Sequence, residues 1–171
     1  TLLSYVEKYG KKVLGSKCTL DNDIPILIKF IDAKDALSIQ VHPDNEYALK
    51  NENDFGKTEM WYVIDAEPDA KLIYGFKNDI TKEQFKKAIE ENTLEELVNE
   101  VNVQAGDVFF ITPGTMHAIG KGIVIAEIQQ RSNVTYRIYD FGRVGTDGKP
   151  RELHIDKALD VTNLTASKNA K

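Results

Sequence analysis

Two side chains that can bind a metal ion, Gln40 and His42, lie two positions apart in the segment from Leu37 to His42. The sequence Leu-Ser-Ile-Gln-Val-His alternates aliphatic and polar residues, which is the pattern of a β-strand with one apolar and one polar face. Side chains two positions apart on a strand lie roughly 6 to 7 Å from each other on the same face. The amide oxygen of Gln40 and the imidazole of His42 can therefore converge on one ion.

Two more candidate ligands lie far from this strand in the sequence. Glu59 begins the next predicted strand, and His117 follows the tight turn Pro113-Gly114-Thr115. Two imidazoles, a carboxylate and an amide make a nitrogen and oxygen site, and the lack of a thiolate favours a catalytic ion over a structural zinc. The spacing has no short-range signature such as His-Glu-x-x-His, and a single strand histidine is more often held by backbone partners. The residues alone therefore leave both interpretations open.

The length and composition predict a single compact domain over residues 1–171. The chain is 42% hydrophobic and 29% charged, which is enough for one core. We find no apolar run of about 18 residues and no signal peptide, so we expect no membrane association and a cytoplasmic location. The net charge of −5 disfavours binding to nucleic acid. The single cysteine, Cys18, cannot form an internal disulfide, and we expect it to be a packing residue.

The elements that must position these ligands are predicted to be mostly β-strands. Glycine and proline separate short strand-like segments at close intervals, which is typical of a sandwich or small barrel and not of a parallel βαβ sheet. The dense aliphatic segment 24–31 is predicted to be a strand that is buried on both faces for part of its length, and segments 59–64 and 71–76 are predicted to form a hairpin. The other predicted strands are 37–42, 107–112, 116–119, 123–129 and 134–139.

Helical patterns occur in three regions. Leu2 to Tyr9 have helical spacing, and segment 153–161 is predicted to be a short strand that enters a helix. A small helical insertion is predicted around residues 81–100, while the polar tail 165–171 is expected to be frayed. Two capping boxes would start the helices of the insertion, Thr81 with Gln84 and Thr93 with Glu96.

Four motifs, in order, give the sequence a specific resemblance to a known family. They are Leu-Ser-Ile-Gln-Val-His-Pro-Asp from Leu37, Gly-Lys-Thr-Glu-Met-Trp-Tyr from Gly56, Pro-Gly-Thr-Met-His-Ala-Ile-Gly from Pro113 and Thr-Tyr-Arg-Ile-Tyr-Asp from Thr135. Together they resemble type I mannose-6-phosphate isomerase (phosphomannose isomerase) in its short bacterial form, a member of the cupin superfamily. The resemblance implies a mainly β cupin jelly-roll barrel. It also implies a metal-dependent isomerase that interconverts mannose 6-phosphate and fructose 6-phosphate through a cis-enediol.

The same resemblance implies roles for individual residues. The family's catalytic arginine falls on Arg137, its active-site lysine on Lys57, and Glu127 takes the position of a carboxylate that lines the pocket. Ser38 takes the position of a serine near the substrate, so the sugar phosphate is expected to contact Ser38, Lys57 and Arg137. One Zn²⁺ per chain, or another divalent ion, is implied, with the ligands Gln40, His42, Glu59 and His117.

The residue pattern itself allows more than one role for two of these side chains. Alternation along its strand lets Arg137 project into a barrel interior, where it would need an anion. A salt bridge from Arg137 to Asp140, and a solvated Lys57, are the structural alternatives. The chain also departs from the family, because Asn133 stands where the usual pattern has an aspartate. The proton transfer sometimes assigned to that carboxylate would then pass to Glu127, Lys57 or bound water.

Members of the family are longer than this sequence. They begin before the position of Thr1 and continue past that of Lys171 into a second cupin-like barrel, so we expect parts of the pocket wall and some phosphate contacts to be missing here. Two other functions stay open. One is a non-catalytic or partial cupin module that binds metal and a sugar phosphate, and the other is a cupin oxygenase with iron at the same ligands.

Overall fold

The computed structural model describes residues 1–16, 24–145 and 147–167, which form two antiparallel β-sheets, four α-helices and two short 3₁₀ helices. The strands are β1 Ile26–Ala33, β2 Ile39–Val41, β3 Glu59–Ala66, β4 Lys71–Phe76, β5 Val98–Asn102, β6 Val108–Ile111, β7 His117–Ala118, β8 Ile123–Gln130 and β9 Tyr136–Tyr139. The helices are α1 Leu2–Tyr9, α2 Asn45–Asn51, α3 Lys82–Glu90 and α4 Ile155–Val161. The first sheet has the strand order β1–β8–β3–β6, and the second has the order β5–β4–β7–β2–β9.

Two apolar cores hold these sheets. One core lies between the sheets and includes Trp61 of the first sheet and Leu72 of the second. The other lies on the outer face of the second sheet, where Phe76 packs edge-on against Phe85 of α3 and belongs to the same cluster as Ala158 of α4. Two sheets packed in this way form a jelly roll, so the predicted mainly β, cupin-like fold is confirmed. The strand ladders of the described residues do not close into one barrel.

The predicted second helix of the insertion is wrong. Helix α3 forms as expected, with the Thr81 hydroxyl accepting from the Gln84 N–H and the Gln84 side chain accepting from the Thr81 N–H. After it, a single 3₁₀ turn at Leu94–Glu96 precedes β5, and Thr93 makes no capping hydrogen bond. The β-branched valines of β5 favour an extended backbone, and pairing with β4 satisfies its hydrogen bonds, so tertiary pairing overrides the local helical pattern.

Two predictions about the strands, one about pairing and one about burial, are also wrong. Segments 59–64 and 71–76 are strands, but β3 pairs with β6 and β8 whereas β4 pairs with β5 and β7, so they form no hairpin. The turn between them carries the chain from one sheet to the other. Burial of β1 on both faces is predicted for part of its length, yet β1 is an edge strand paired with β8, and Phe30 is 76% exposed. Apolar runs predict strands well but do not specify their partners.

The remaining segments agree with the sequence in part. Helix α1 is confirmed, while segment 153–161 contains no strand and is helical from Ile155. The expected fraying does not begin at Thr165, because the Ala166 N–H donates to Asp79 Oδ1 at 2.7 Å. Cys18 lies outside the described residues. None of the described helices is long and apolar enough to cross a membrane.

Replacing Thr81 by alanine should lower the free energy of unfolding by about 1 kcal/mol, because the first turn of α3 loses its capping hydrogen bond. The matched control is Thr93→Ala, since Thr93 has the same side chain and makes no capping bond. We expect the free energy of unfolding of Thr93→Ala to stay within about 0.5 kcal/mol of that of the parent. Urea unfolding of the three proteins measures the difference, and equal losses for the two variants would contradict the assigned cap.

Candidate metal centre

Three strands of the two sheets bring His42, Glu59 and His117 together. His42 follows β2, Glu59 begins β3 and His117 begins β7. All three side chains are buried, and their possible ligand atoms lie within 4.8 Å of one another. The fold therefore gathers three residues that are distant in the sequence at one point between the sheets.

Backbone carbonyls orient both imidazoles toward the carboxylate. His42 Nδ1 lies 3.0 Å from the Val134 carbonyl oxygen, and His117 Nδ1 lies 2.8 Å from that of Thr115. Because a carbonyl oxygen only accepts, each Nδ1 carries the hydrogen and each Nε2 keeps a lone pair. The two Nε2 atoms lie 3.2 Å and 3.8 Å from the Glu59 carboxylate oxygens, for His42 and His117 respectively. This is the tautomer that a metal-binding histidine needs.

The donor atoms of this cluster fit a metal ion. Among the described residues, the buried atom His42 Nε2 forms no hydrogen bond, and it faces Glu59 Oε1, which is in close contact with the Lys57 ammonium. A buried polar atom without a partner costs free energy, and a cation between these atoms would remove that cost. Two imidazoles and a carboxylate without a thiolate match the ligand set of a catalytic zinc site, which keeps a further position for substrate or water.

Gln40 lies beside this cluster on the neighbouring strand. It is the cross-strand partner of His117 on β7, and its amide nitrogen lies 3.4 Å from His117 Nε2. The nitrogen and oxygen of an amide are assigned from their surroundings, so turning the amide by half a turn would direct the oxygen to the same place. The position is compatible with the predicted role of Gln40 as a fourth ligand, which stays a prediction.

Burial and charge keep the three ligands in the form that binds a metal. Burial lowers the pKa of His42 from its ordinary 6.5 to about 3, and burial also lowers the pKa of His117. Burial alone would raise the pKa of Glu59, but close contact with His42 and the positive charge of Lys57 outweigh this and hold it below its ordinary value. At neutral pH both imidazoles are therefore neutral and the carboxylate is ionised, as ligation requires.

Lys57 lies next to the carboxylate of the cluster. Its side chain is 6% exposed, and its ammonium nitrogen lies 2.9 Å from Glu59 Oε1. The alternative of a solvated loop lysine is therefore wrong. A buried ammonium group beside the cluster can donate hydrogen bonds to a ligand oxygen, which is compatible with the predicted substrate contact.

Sequence reasoning missed two residues that hold Glu127. The Trp61 indole N–H points between Glu59 Oε2 and Glu127 Oε2, at 3.0 and 3.2 Å, and the Lys29 ammonium donates to Glu127 Oε1 at 2.8 Å. Trp61 thus links Glu59 of the cluster to Glu127, the carboxylate that is predicted to line the pocket and that is buried. The only sequence signal for Trp61 was its position two residues after Glu59, on the same face of β3.

Arg137 lies opposite Gln40 in the pairing of β2 with β9, so the two side chains share a face of the second sheet. Its Nη1 donates to the Glu152 carbonyl oxygen, and its buried Nε has no hydrogen bond to the described residues. The alternative salt bridge from Arg137 to Asp140 does not form, because Arg143 and Arg151 bind that carboxylate.

The two remaining candidate positions differ in exposure. Ser38 is 6% exposed and lies immediately before β2. Asn133, which replaces the family's usual aspartate, is exposed on the loop between β8 and β9. The next residue, Val134, accepts the hydrogen bond from His42. The loop therefore orients a ligand through its backbone.

The comparisons with known proteins agree with this geometry. The family profile for the phosphomannose isomerase type I catalytic domain matches residues 3–59. Mannose-6-phosphate isomerase ManA of Bacillus subtilis is 50% identical over 164 residues, which is 95% of this chain and 51% of ManA. The crystal structure of the mannose 6-phosphate isomerase from Bacillus subtilis superimposes with a TM-score of 0.87 at 38% identity, over 96% of this chain and 51% of that one. The chain is similar to type I phosphomannose isomerases over nearly all of its length.

A zinc-bound crystal structure of a mannose 6-phosphate isomerase is similar in fold, with a TM-score of 0.71 at 16% identity over 98% of this chain and 61% of that one. The chain spans about half the length of the curated relatives that it matches, 46% and 51% of two of them. The similarity to these proteins therefore covers nearly all of this chain and only part of each relative.

Replacing Trp61 by phenylalanine should weaken metal binding by roughly 10- to 100-fold, the usual effect of removing a partner of a metal ligand. The aromatic ring stays, but the N–H that links Glu59 to Glu127 is lost. Phe109→Leu is the control, because Phe109 is buried in the same core and would change stability without touching a ligand. Competition with a chromophoric chelator measures the affinity, and a change of less than twofold for Trp61→Phe would contradict the linking role.

Lowering the pH from 7 to 5 should destabilise the metal-free protein by roughly 2 kcal/mol through His42 alone. Its pKa is about 3 in the folded state and 6.5 ordinarily, so the unfolded chain binds more protons between these values. Stability then falls as the pH drops below 6.5 and stops falling near 3. Urea unfolding of the chelated protein at several pH values measures the slope of the free energy of unfolding against pH. We expect this slope to be smaller in His42→Asn. Equal slopes for the two proteins would disprove the assignment.

Proposed function

We propose that this chain carries the active site of a cytoplasmic mannose-6-phosphate isomerase, which interconverts mannose 6-phosphate and fructose 6-phosphate through a cis-enediol. The observation that carries the proposal is the buried cluster of His42, Glu59 and His117, whose possible ligand atoms lie within 4.8 Å of one another and in which His42 Nε2 has no hydrogen bond to the described residues. The names of the curated relatives support the substrate and the reaction.

Zn²⁺ is the ion that we propose for this site, one per chain. His42 and His117 would hold it through Nε2, Glu59 through its carboxylate and Gln40 through its amide oxygen. This ligand set suits zinc, and the similar fold that was crystallised with zinc supports the choice. When bound, the ion supplies a Lewis acid that stabilises negative charge on the substrate oxygens.

The chain's own residues would position the sugar and move its proton. Isomerisation transfers a proton between C1 and C2, and the Glu127 carboxylate is our candidate base. Lys29 and Trp61 hold its two oxygens, which fixes its direction before the substrate arrives. The Lys57 ammonium would donate a hydrogen bond to a substrate oxygen. Arg137 would add a fixed positive charge near the enediolate or the phosphate.

A non-catalytic module that binds metal and a sugar phosphate is the second candidate. Two observations favour it. The chain spans about half the length of the curated relatives, so residues of the pocket can be supplied by the other half. In addition, Asn133 stands at the family's aspartate position and cannot accept a proton at neutral pH.

The zinc-loaded chain, incubated with mannose 6-phosphate, should form fructose 6-phosphate at a rate that chelation abolishes and zinc restores. Full-length ManA of Bacillus subtilis serves as the positive control. Binding of zinc and mannose 6-phosphate without isomerisation would favour the non-catalytic module. Anaerobic purification followed by metal analysis tests the ion, and stoichiometric iron in place of zinc would overturn the zinc assignment and favour an oxygenase.

A further inference from the structure

Gln129 on β8 is a buried polar side chain to which the proposed function gives no role. It is 2% exposed and lies two residues after Glu127, so both side chains lie on the same face of β8. In the strand register Gln129 lies opposite Glu59 of the metal cluster. A buried amide is costly unless its donors and its acceptor are bound. The partners of Gln129 therefore indicate what it does.

Three hydrogen bonds fix the direction of the Gln129 amide. Its Nε2 donates to the carbonyl oxygens of Gln130 and Ser132, each at 2.9 Å, and its Oε1 accepts from the Lys29 ammonium at 2.5 Å. A carbonyl oxygen only accepts and an ammonium only donates, so the reversed amide would satisfy none of the three. Because two of the partners are backbone atoms, the Gln129 oxygen is a fixed acceptor for Lys29.

Lys29 needs such an acceptor because of where it lies. It is on the edge strand β1, its side chain is 39% exposed, and its ammonium also donates to Glu127 at 2.8 Å. A single ion pair of a long, half-exposed lysine is weak, since water screens the charges and the side chain loses rotamer freedom. With the second bond, the ammonium is held between Glu127 Oε1 and Gln129 Oε1 and stays beside the carboxylate.

We propose that Gln129 is a positioning residue for the isomerisation, which acts through Lys29 to fix the direction of the Glu127 carboxylate. The inference rests on the proposed function, in which Glu127 is the base. Lys29 holds one oxygen of Glu127, and Trp61 holds the other. Without the Gln129 acceptor, the Lys29 ammonium turns to solvent and the carboxylate is held by Trp61 alone. A base displaced by about 1 Å from its productive position costs up to roughly 100-fold in rate.

The Trp61 indole N–H reports the direction of Glu127 in the absence of any activity. Trp61 is the only tryptophan of the chain, so its proton–nitrogen NMR signal is unambiguous. The metal-free parent chain is compared with Gln129→Met, Lys29→Met and the double variant. Each single variant should move the signal to lower proton shift, toward that of Glu127→Leu, because the hydrogen bond to Glu127 weakens. The double variant should move it no further than Lys29→Met does.

The control for this comparison is the same substitution at Gln84. Gln84 also bonds the backbone through its side chain, at the start of α3, which packs on the outer face of the second sheet. The indole signal of Gln84→Met should coincide with that of the parent. An unmoved signal in Gln129→Met, or shifts that add in the double variant, would overturn the proposal. If Gln129→Met does not fold, Gln129→Asn gives the same comparison, because its amide is one methylene too short to bridge Lys29 and Ser132.

Kinetics of the zinc-loaded chain test the catalytic consequence. Gln129→Met should lower kcat by roughly 10- to 100-fold and leave KM within about threefold, because the base is disturbed and sugar binding is not. In the Lys29→Met background the same substitution should change kcat by less than about twofold. Equal losses in both backgrounds would assign Gln129 to the stability of the fold alone and overturn the proposal. A parent chain without activity would refute the proposed function, whereas the NMR comparison would still decide whether Gln129 directs Glu127.

Discussion

Replacing His117 by alanine should weaken zinc binding by more than about 100-fold. Loss of a residue that merely orients a ligand typically costs 10- to 100-fold, and His117 offers a ligand atom itself. Zinc at 100 times its dissociation constant should stabilise the parent chain by about 2.7 kcal/mol, because the ion binds the folded state. We expect the variant to gain almost nothing under the same conditions. Thermal unfolding with and without zinc measures both values.

The control for this experiment is the chain's third histidine. His154 precedes α4, is partly buried and accepts a hydrogen bond from the Arg137 N–H through its Nδ1, away from the cluster. His154→Ala should keep the full zinc-dependent gain in stability. If both variants lose it equally, the loss in His117→Ala is not specific to the buried cluster, and the assignment of the cluster as the metal site is wrong.

The candidate ligands could be predicted because strand alternation is a local property. Gln40 and His42 share a face whatever their strand pairs with, and Glu59 and His117 have side chains suited to metal binding. Residue types and strand alternation were therefore enough to identify the four candidate ligands. Only the four motifs indicated that these ligands belong to one site. The structure adds the proximity, since β2, β3 and β7 belong to two different sheets.

The bridge made by Trp61 could not be predicted, because it depends on register. Trp61 lies opposite Glu127 in the pairing of β3 with β8, and Lys29 lies opposite Glu127 in the pairing of β1 with β8. A shift of one residue would turn each side chain to the other face. Register is set by packing over the whole sheet, and no local pattern around Trp61 or Lys29 encodes it.

The errors in the predicted fold have the same physical origin. Thr93 and Glu96 form a local helix-start pattern, yet the valines that follow gain more by pairing with β4. Strands β3 and β4 were expected to pair because they are neighbours in the sequence, but the turn between them leads from one sheet to the other. The existence of these strands followed from their composition, whereas their partners depended on distant segments.

Replacing Arg137 by alanine should reduce the rate of isomerisation by roughly 100-fold or more and leave the zinc affinity unchanged. Arg137 shares a face with Gln40, and its buried Nε has no hydrogen bond to the described residues, so it can donate to an anion beside the metal cluster. Removing one preorganised donor to a developing negative charge typically costs 100- to 1,000-fold in rate. Isomerase assays and zinc titrations of the same preparations measure the two effects separately.

Arg151→Ala separates this role from a structural one. Arg151 binds Asp140 with two hydrogen bonds, and Arg143 holds the same carboxylate, so the cluster around Asp140 keeps one partner when Arg151 is lost. We expect the rate to fall less than tenfold in Arg151→Ala. Arg137→Lys should lie between the two alanine variants, because it keeps the charge but loses the planar group with several donors. Equal losses in Arg137→Ala and Arg151→Ala would show that Arg137 acts only by supporting the fold around β9.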